Sequence, residues 1–313
     1  MYEAAEQIVS LPDAGLQKLN HPIADQFGIE VDVLRLDKIH PVISGNKFFK
    51  LRYFLKEARR ENKSIVTFGG AWSNHLLATA YICKQLQIPC TGLIRGERPT
   101  ILSASLVNCE SWGMTLMFMS RNDFRDKLVP PVIQNNAVII PEGGASETGV
   151  RGAATILNHL EVTEYSEIIC GVGTGTMMAG LLQQSSTMIR GVSALKIATE
   201  ARHSFEHLLR KHAGDKQFDV DYRFHFGGYA KHPPELLQFM NEFFEETGIQ
   251  TDIVYTGKLF YGLMQIIKEG GFQPGTKICA IHSGGIQGNR SLRPGMLVWD
   301  EGRRWGSKDE VED

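Results

Sequence analysis

Four strand-like runs in this chain end in glycine-rich turns that pass directly into segments of helical period: GGAWSNH (69–75), PEGGASETG (141–149), GVGTGTMMAG (171–180) and HSGGIQG (282–288). A strand that feeds a helix through a tight turn is half of a crossover unit, and crossovers are how neighbouring strands come to lie parallel. Recurrence of the pattern restricts the chain to the α/β class. Strands are expected over 31–36, 64–70, 90–96, 114–119, 137–143, 167–173, 194–199, 222–226 and 277–285, with helices between them. In one of these helices Phe48, Leu51, Phe54, Leu55 and Ala58 recur at steps of three and four, with charged residues on the other face. The segment SNHLLATAYICKQL behaves likewise. Open α/β sheets bind ligands at the carboxyl ends of their strands, so the same turns are the first places to look for a site.

At 313 residues the chain can hold one large domain or two interleaved ones. Its 33 basic and 35 acidic residues nearly cancel, and no long basic run appears, which argues against a nucleic-acid partner. The segment MYEAAEQIVSLPDAGLQKL lacks a basic stretch followed by an apolar one, and no run approaches the ~18 apolar residues that span a bilayer. A cytoplasmic protein with no membrane partner is expected. Its five cysteines are odd in number and form no C-x-x-C pair, and the one C-x-x-H, Cys279 to His282, has no second pair to join it, so neither a disulfide framework nor a metal site is expected.

The turns carry chemistry of one kind. In GVGTGTMMAG, Gly173 and Gly175 free backbone N–H groups, Thr174 and Thr176 add hydroxyls, and a helix dipole begins near Met177, which together make a cradle for an anion. A tight turn with no ligand has roughly equal weight on this stretch alone, because neither G-x-x-x-x-G-K-[ST] nor G-x-G-x-x-G is matched. Ser73, Asn74 and His75 stand at a helix start, where Ser73 or Asn74 serves equally well as the N-cap. Lys47 and Lys50 lie three apart at another helix start and project from one face against the dipole. They read either as a solvated basic face or as a pair facing an anion. Tyr255 and Thr256 sit in VYTGK, and Ser283 in HSGG. There is no G-x-S-x-G, no H-E-x-x-H and no marked carboxylate pair, which removes the commonest hydrolase chemistries. An amine, a phosphate cradle, an amide and several hydroxyls are the groups that pyridoxal 5'-phosphate requires.

Taken in order, the motifs resemble the D-cysteine desulfhydrase and 1-aminocyclopropane-1-carboxylate (ACC) deaminase family, within the tryptophan-synthase-β-like fold (fold type II), from about residue 30 to residue 292. SGNKFFKL is similar to that family's GGNKxRKL, which implies that Lys47 carries the Schiff base and Lys50 a phosphate-side charge. GGAWSNH is similar to GGIQSNH, which implies that Asn74 bonds the cofactor's ring oxygen and that Ser73, Asn74 and His75, with Ser283 of HSGG, face the substrate. GVGTGTMMAG stands for the phosphate loop and Tyr229 of GGYAKHPPE for an active-site tyrosine. VYTGK matches VY[ET]GK, with Thr256 opposite the pyridine nitrogen and Tyr255 beside it as a second candidate for proton handling. Trp72, Leu77 and Met177 depart from the family pattern.

Two positions divide the family. ACC deaminases carry Glu and Leu where this chain has Thr256 and Ser283, and D-cysteine desulfhydrases carry Thr and Thr. The resemblance therefore implies β-elimination of D-cysteine, or of a related β-substituted D-amino acid. ACC deamination is the rival within the family, and a catalytically silent cofactor-binding protein the rival outside it. It further implies a homodimer, two open parallel-sheet domains, a large one from 1–47 and 147–313 and a smaller one inserted over 48–146.

Overall fold

Ten strands among the described residues, 14–300 of this computed structural model, make two sheets. Residues 1–13, which open the segment screened for a targeting signal, and 301–313 lie outside the described residues. One sheet has six strands in the order β1-β2-β10-β7-β8-β9, and the other has four in the order β5-β4-β3-β6. The six are β1 (Leu16–Lys18), β2 (Glu30–Arg35), β7 (Glu167–Val172), β8 (Met188–Ser193), β9 (Phe218–Asp221) and β10 (Lys277–His282). The four are β3 (Ser64–Gly69), β4 (Cys90–Arg95), β5 (Thr115–Met119) and β6 (Ala137–Ile140). Every pairing is parallel except β1 with β2. The smaller sheet is thus inserted in sequence between β2 and β7 of the larger.

Central strands are apolar without alternation because helices cover both faces of a parallel sheet. In β10 every residue from Ile278 to His282 is buried. Two strands lie earlier than their sequence suggests: of 194–199 all but Thr199, which opens a helix, is irregular, 222–226 is irregular throughout, and β8 and β9 precede them. The reason is electrostatic. Arg190 in β8 reaches Glu167 in β7 at 2.8 Å and Asp219 in β9 at 2.8 Å, so charges that look wrong for a strand pair across the ladder. The aromatic residues Phe224 and Phe226, which make 222–226 look strand-like, pack edge-on against Tyr261. The short, half-exposed β1 leaves no periodic signal.

Helix α1 (Asn46–Glu61) links the sheets. It buries Phe48, Phe49, Leu51, Phe54, Leu55 and Ala58 in a core shared with Leu34 and Ile281 of the large sheet and Ile65 and Ile140 of the small one. Asn62, in the left-handed conformation, closes its far end. At its start Gly45 has φ +77°, and a side-chain carbon there would overlap the carbonyl of Ser283. Asn46 N–H donates to that carbonyl at 3.1 Å. Glycine at 45 is therefore a steric requirement, and it sets the first turn of α1 against the turn that follows β10.

Candidate active site

The carboxyl ends of β7 and β10 and the first turn of α1 surround a cleft with about 440 Å³ of space, part of it open to solvent. Lys47, Lys50, Thr174, Tyr255 and Ser283 face it, over a floor of Gly171, Gly173 and Gly175. Lys47 Nζ donates to Asn46 Oδ1 at 2.7 Å and stands 5.8 Å from the centre of the Tyr255 ring. Burial lowers its pKa to about 8, against a weak opposing pull from Asp252. Lys50 is lowered well below the ordinary lysine range by burial and then by Lys47. No carboxylate lines the cleft. Two amines in a cleft that no carboxylate lines call for an anion from outside.

The turn between β7 and α4, numbered after α2 (Asn74–Leu86) and α3 (Glu147–Ala154), suits that anion. Helix α4 (Thr176–Gln184) opens on Gly175 at φ +80°, and the first N–H groups of a helix lack partners within it. Thr174 and Thr176 bring their hydroxyls to 2.8 Å of each other at its mouth. Tyr255 closes the other side. Burial raises its hydroxyl pKa, and the neighbouring Tyr229 and Asp252 add to the effect, so it stays protonated. Tyr229 rests edge-on against it, with ring centres 6.5 Å apart.

A family model described as pyridoxal-phosphate dependent enzyme matches residues 18–284. The chain belongs to this family of pyridoxal-phosphate-dependent enzymes. It is 30% identical to a putative 1-aminocyclopropane-1-carboxylate deaminase of Pyrococcus furiosus, over 85% of this chain and 88% of that one. To the bifunctional D-cysteine desulfhydrase/1-aminocyclopropane-1-carboxylate deaminase of Arabidopsis thaliana mitochondria it is 26% identical, over 83% and 73%. The crystal structure of an ACC deaminase homologue superposes with a TM-score of 0.75 at 25% identity, covering 92% of this chain and 97% of that one. The two-sheet architecture is that of fold type II pyridoxal-phosphate enzymes.

The residues fit the cofactor. Lys50, the hydroxyls of Thr174 and Thr176 and the first N–H groups of α4 would hold its phosphate, and the Lys47 amine would meet its aldehyde, with Tyr255 in the wall beside them. Asn74 supplies a further polar group. Its Nδ2 donates to Gly285 O at 3.2 Å, which ties α2 to the turn after β10, and its Oδ1 is buried with no protein partner.

Of the residues singled out in the sequence, Lys47, Lys50, Gly173, Thr174, Gly175, Tyr255 and Ser283 line one cleft, with Thr176 bonded to Thr174 at its rim. Others stand back from it. Ser73 caps α2, its Oγ accepting from Leu76 N–H at 3.2 Å. His75 is buried beneath the small sheet with Nε2 2.8 Å from Thr67 Oγ1. Burial, then the charges of Lys47 and Lys50, lower its pKa to about 3, so it is neutral. Thr256 is fully buried; its hydroxyl donates to Asp252 Oδ1 and accepts from Asp252 N–H, both at 2.7 Å. Tyr229 enters only through Tyr255.

Three contributors escaped the sequence reading. Asn46 orients Lys47 and was hidden as part of the helix start. Asp252 accepts from the N–H groups of Val254, Tyr255 and Thr256, an acid placed like a helix cap four residues before Thr256. Lys258 sits in the same motif, with a side chain that is wholly enclosed.

Proposed function

We propose that this chain is a lyase that eliminates hydrosulfide from D-cysteine, or the β-substituent of a related D-amino acid. With one water consumed, D-cysteine gives pyruvate, ammonia and hydrogen sulfide. The observation that carries the reading is a cleft furnished with amines and hydroxyls and lined by no carboxylate, with Ser283 in its wall. A carboxylate beside a pyridine nitrogen favours its protonated form and deepens the electron sink, and a neutral hydroxyl does so much less. Loss of a good leaving group from Cβ needs only a modest sink. Opening a cyclopropane that has no Cα hydrogen needs more.

Pyridoxal phosphate, when bound, supplies an aldehyde that condenses with amines and a ring that withdraws electrons from Cα. The chain's own residues do the rest. Lys50, Thr174, Thr176 and the first N–H groups of α4 bind the phosphate. Lys47, its pKa lowered to about 8 by burial, keeps part of its amine uncharged near neutral pH, which lets Nζ act as a nucleophile toward an aldehyde and take up or return a proton. Asn46 Oδ1 holds that amine in place. Tyr255, kept protonated by burial, is a hydrogen-bond donor for the substrate carboxylate, with Tyr229 covering it. Ser283 gives the wall a small polar group where a leucine would make it apolar.

The same reading includes a smaller domain over 48–146, built around the inserted sheet, a homodimer and a cytoplasmic location. No helix among the described residues is long and apolar enough to cross a membrane.

Sulfide release from D-cysteine measured beside 2-oxobutanoate release from ACC tests the proposal. Sulfide is the expected product. Turnover of ACC alone overturns the substrate, and visible absorption from bound cofactor with no keto acid formed from D-cysteine, from other β-substituted D-amino acids or from ACC overturns the lyase in favour of a silent binder.

A further inference from the structure

Lys258, in the first turn of α7 (Thr256–Lys268, with α5 as Thr199–Ala213 and α6 as Pro234–Thr247), is the third lysine that the fold encloses near the cleft. Its position is doubly unfavourable. A cation at a helix N-terminus opposes the dipole, and a fully buried ammonium loses its hydration. No carboxylate lies within ion-pair distance of it among the described residues. Instead, three backbone carbonyls converge on Nζ: Gly228 O at 2.6 Å, His225 O at 3.0 Å and Ala194 O at 3.2 Å. An ammonium has three donors and no acceptor, so this cage saturates it.

The carbonyls come from two places that matter to the cleft. Ala194 follows β8, and its N–H donates to Val172 O at 2.8 Å, at the root of the glycine-rich turn. His225 and Gly228 belong to the 225–230 turn that carries Tyr229. That turn is strained: Phe226, Gly227, Gly228 and Ala230 have φ of 51°, 92°, 118° and 53°, and two of the four are not glycine. Such a backbone persists only where its surroundings fix it. The turn's own bonds are all local: Gly228 N–H to His225 O at 2.9 Å, Gly227 N–H to His225 Nδ1 at 2.8 Å, Lys231 N–H to Gly228 O at 3.2 Å, and His232 Nδ1 2.7 Å from Ala230 O; none of them ties the turn to β8.

We infer that Lys258 is a positioning residue: its ammonium is a tethered cation that clamps the 225–230 turn to the end of β8 and so holds Tyr229 against Tyr255 over Lys47. The inference rests on the Lys47 cleft being the reaction site, and not on which amino acid is the substrate. Helix α7 joins both parts, because Tyr255 caps its start and Lys258 lies three residues on. A cage of carbonyls that accepts an ammonium from the chain also accepts a free one, so a small cation can stand in for the missing side chain.

Hydrogen exchange and kinetics together test this. In the wild-type holoenzyme the hydrogen-bonded amides of Gly227, Gly228 and Lys231 exchange slowly, and in Lys258→Met they exchange about tenfold faster or more, while the visible absorption of bound pyridoxal phosphate is kept. Turnover falls ~10–100-fold, Tyr229→Phe falls similarly, and the double variant loses little beyond either alone. Methylammonium restores slow exchange and much of kcat to Lys258→Ala and does nothing for Lys258→Met, whose side chain still fills the cage. A wild-type turn that exchanges freely, a variant turn as protected as the wild type, additive losses, or faster exchange with unchanged turnover would each overturn the assignment. The wild-type measurement stands even if neither variant folds. Exchange is also read without substrate, so a protein that turns over no amino acid offered leaves this test intact.

Discussion

Lys47 and Lys258 are both enclosed amines that burial lowers to a pKa of about 8, and their surroundings are opposite. Lys47 has one acceptor, Asn46 Oδ1, and faces a cleft. Lys258 has three carbonyls and faces none. Burial alone does not make a lysine reactive. It depresses the pKa in both places, but only where acceptors are scarce and space is open can the amine meet an electrophile. Where acceptors saturate it, the same depressed amine is a fixed cation.

The largest effect that separates the two is on chemistry. Lys47→Ala is expected to lower turnover by about 10⁴-fold or more and to abolish the visible absorption of the holoenzyme, whereas Lys258→Met keeps that absorption. A coloured, active Lys47→Ala would erase the distinction. Next comes Gly45→Ala, which drives a methyl group into the Ser283 carbonyl and displaces Lys47 but not Lys258. A loss of about 3 kcal/mol or more in urea unfolding is expected, with weaker cofactor retention. Lys50→Met removes a phosphate-side charge and leaves the carbonyl cage alone. Its dissociation constant for pyridoxal phosphate should rise ~10–100-fold with little change in the unfolding midpoint of the cofactor-free protein.

The smallest effect is on pH dependence. In the unfolded chain these lysines hold their protons up to about pH 10.5, and in the folded, cofactor-free protein Lys47 and Lys258 release theirs from about pH 8. The unfolded state therefore binds more protons between those values, and stability climbs as pH rises through that window. Thermal unfolding of the cofactor-free protein from pH 7.5 to 10 should show the climb, and Lys47→Met should flatten part of it. A flat wild-type profile would contradict both depressed values.

Much of this was readable along the chain. The first turn of α1 was visible because Ser-Gly-Asn-Lys combines a residue that tolerates positive φ with two lysines that a helix start disfavours. The anion cradle was visible for the same kind of reason, since glycines and hydroxyls at a helix N-terminus have few other uses. Strands β8 and β9 were misplaced because Arg190, Glu167 and Asp219 look unfavourable singly and become favourable only when β7, β8 and β9 lie side by side. Thr256 illustrates the same limit within a motif. VYTGK presents a hydroxyl, and the fold gives that hydroxyl to Asp252.

By itself, then, the sequence determined a parallel α/β chain, a lysine at a glycine-led helix start and an anion cradle, because each of these is written in local backbone preference and side-chain type. Tertiary structure alone decided which lysine faces open space and which is caged. That choice depends on carbonyls from Ala194, His225 and Gly228, which lie 30 to 64 positions from Lys258 in the chain and meet it only after β8, the 225–230 turn and α7 have packed.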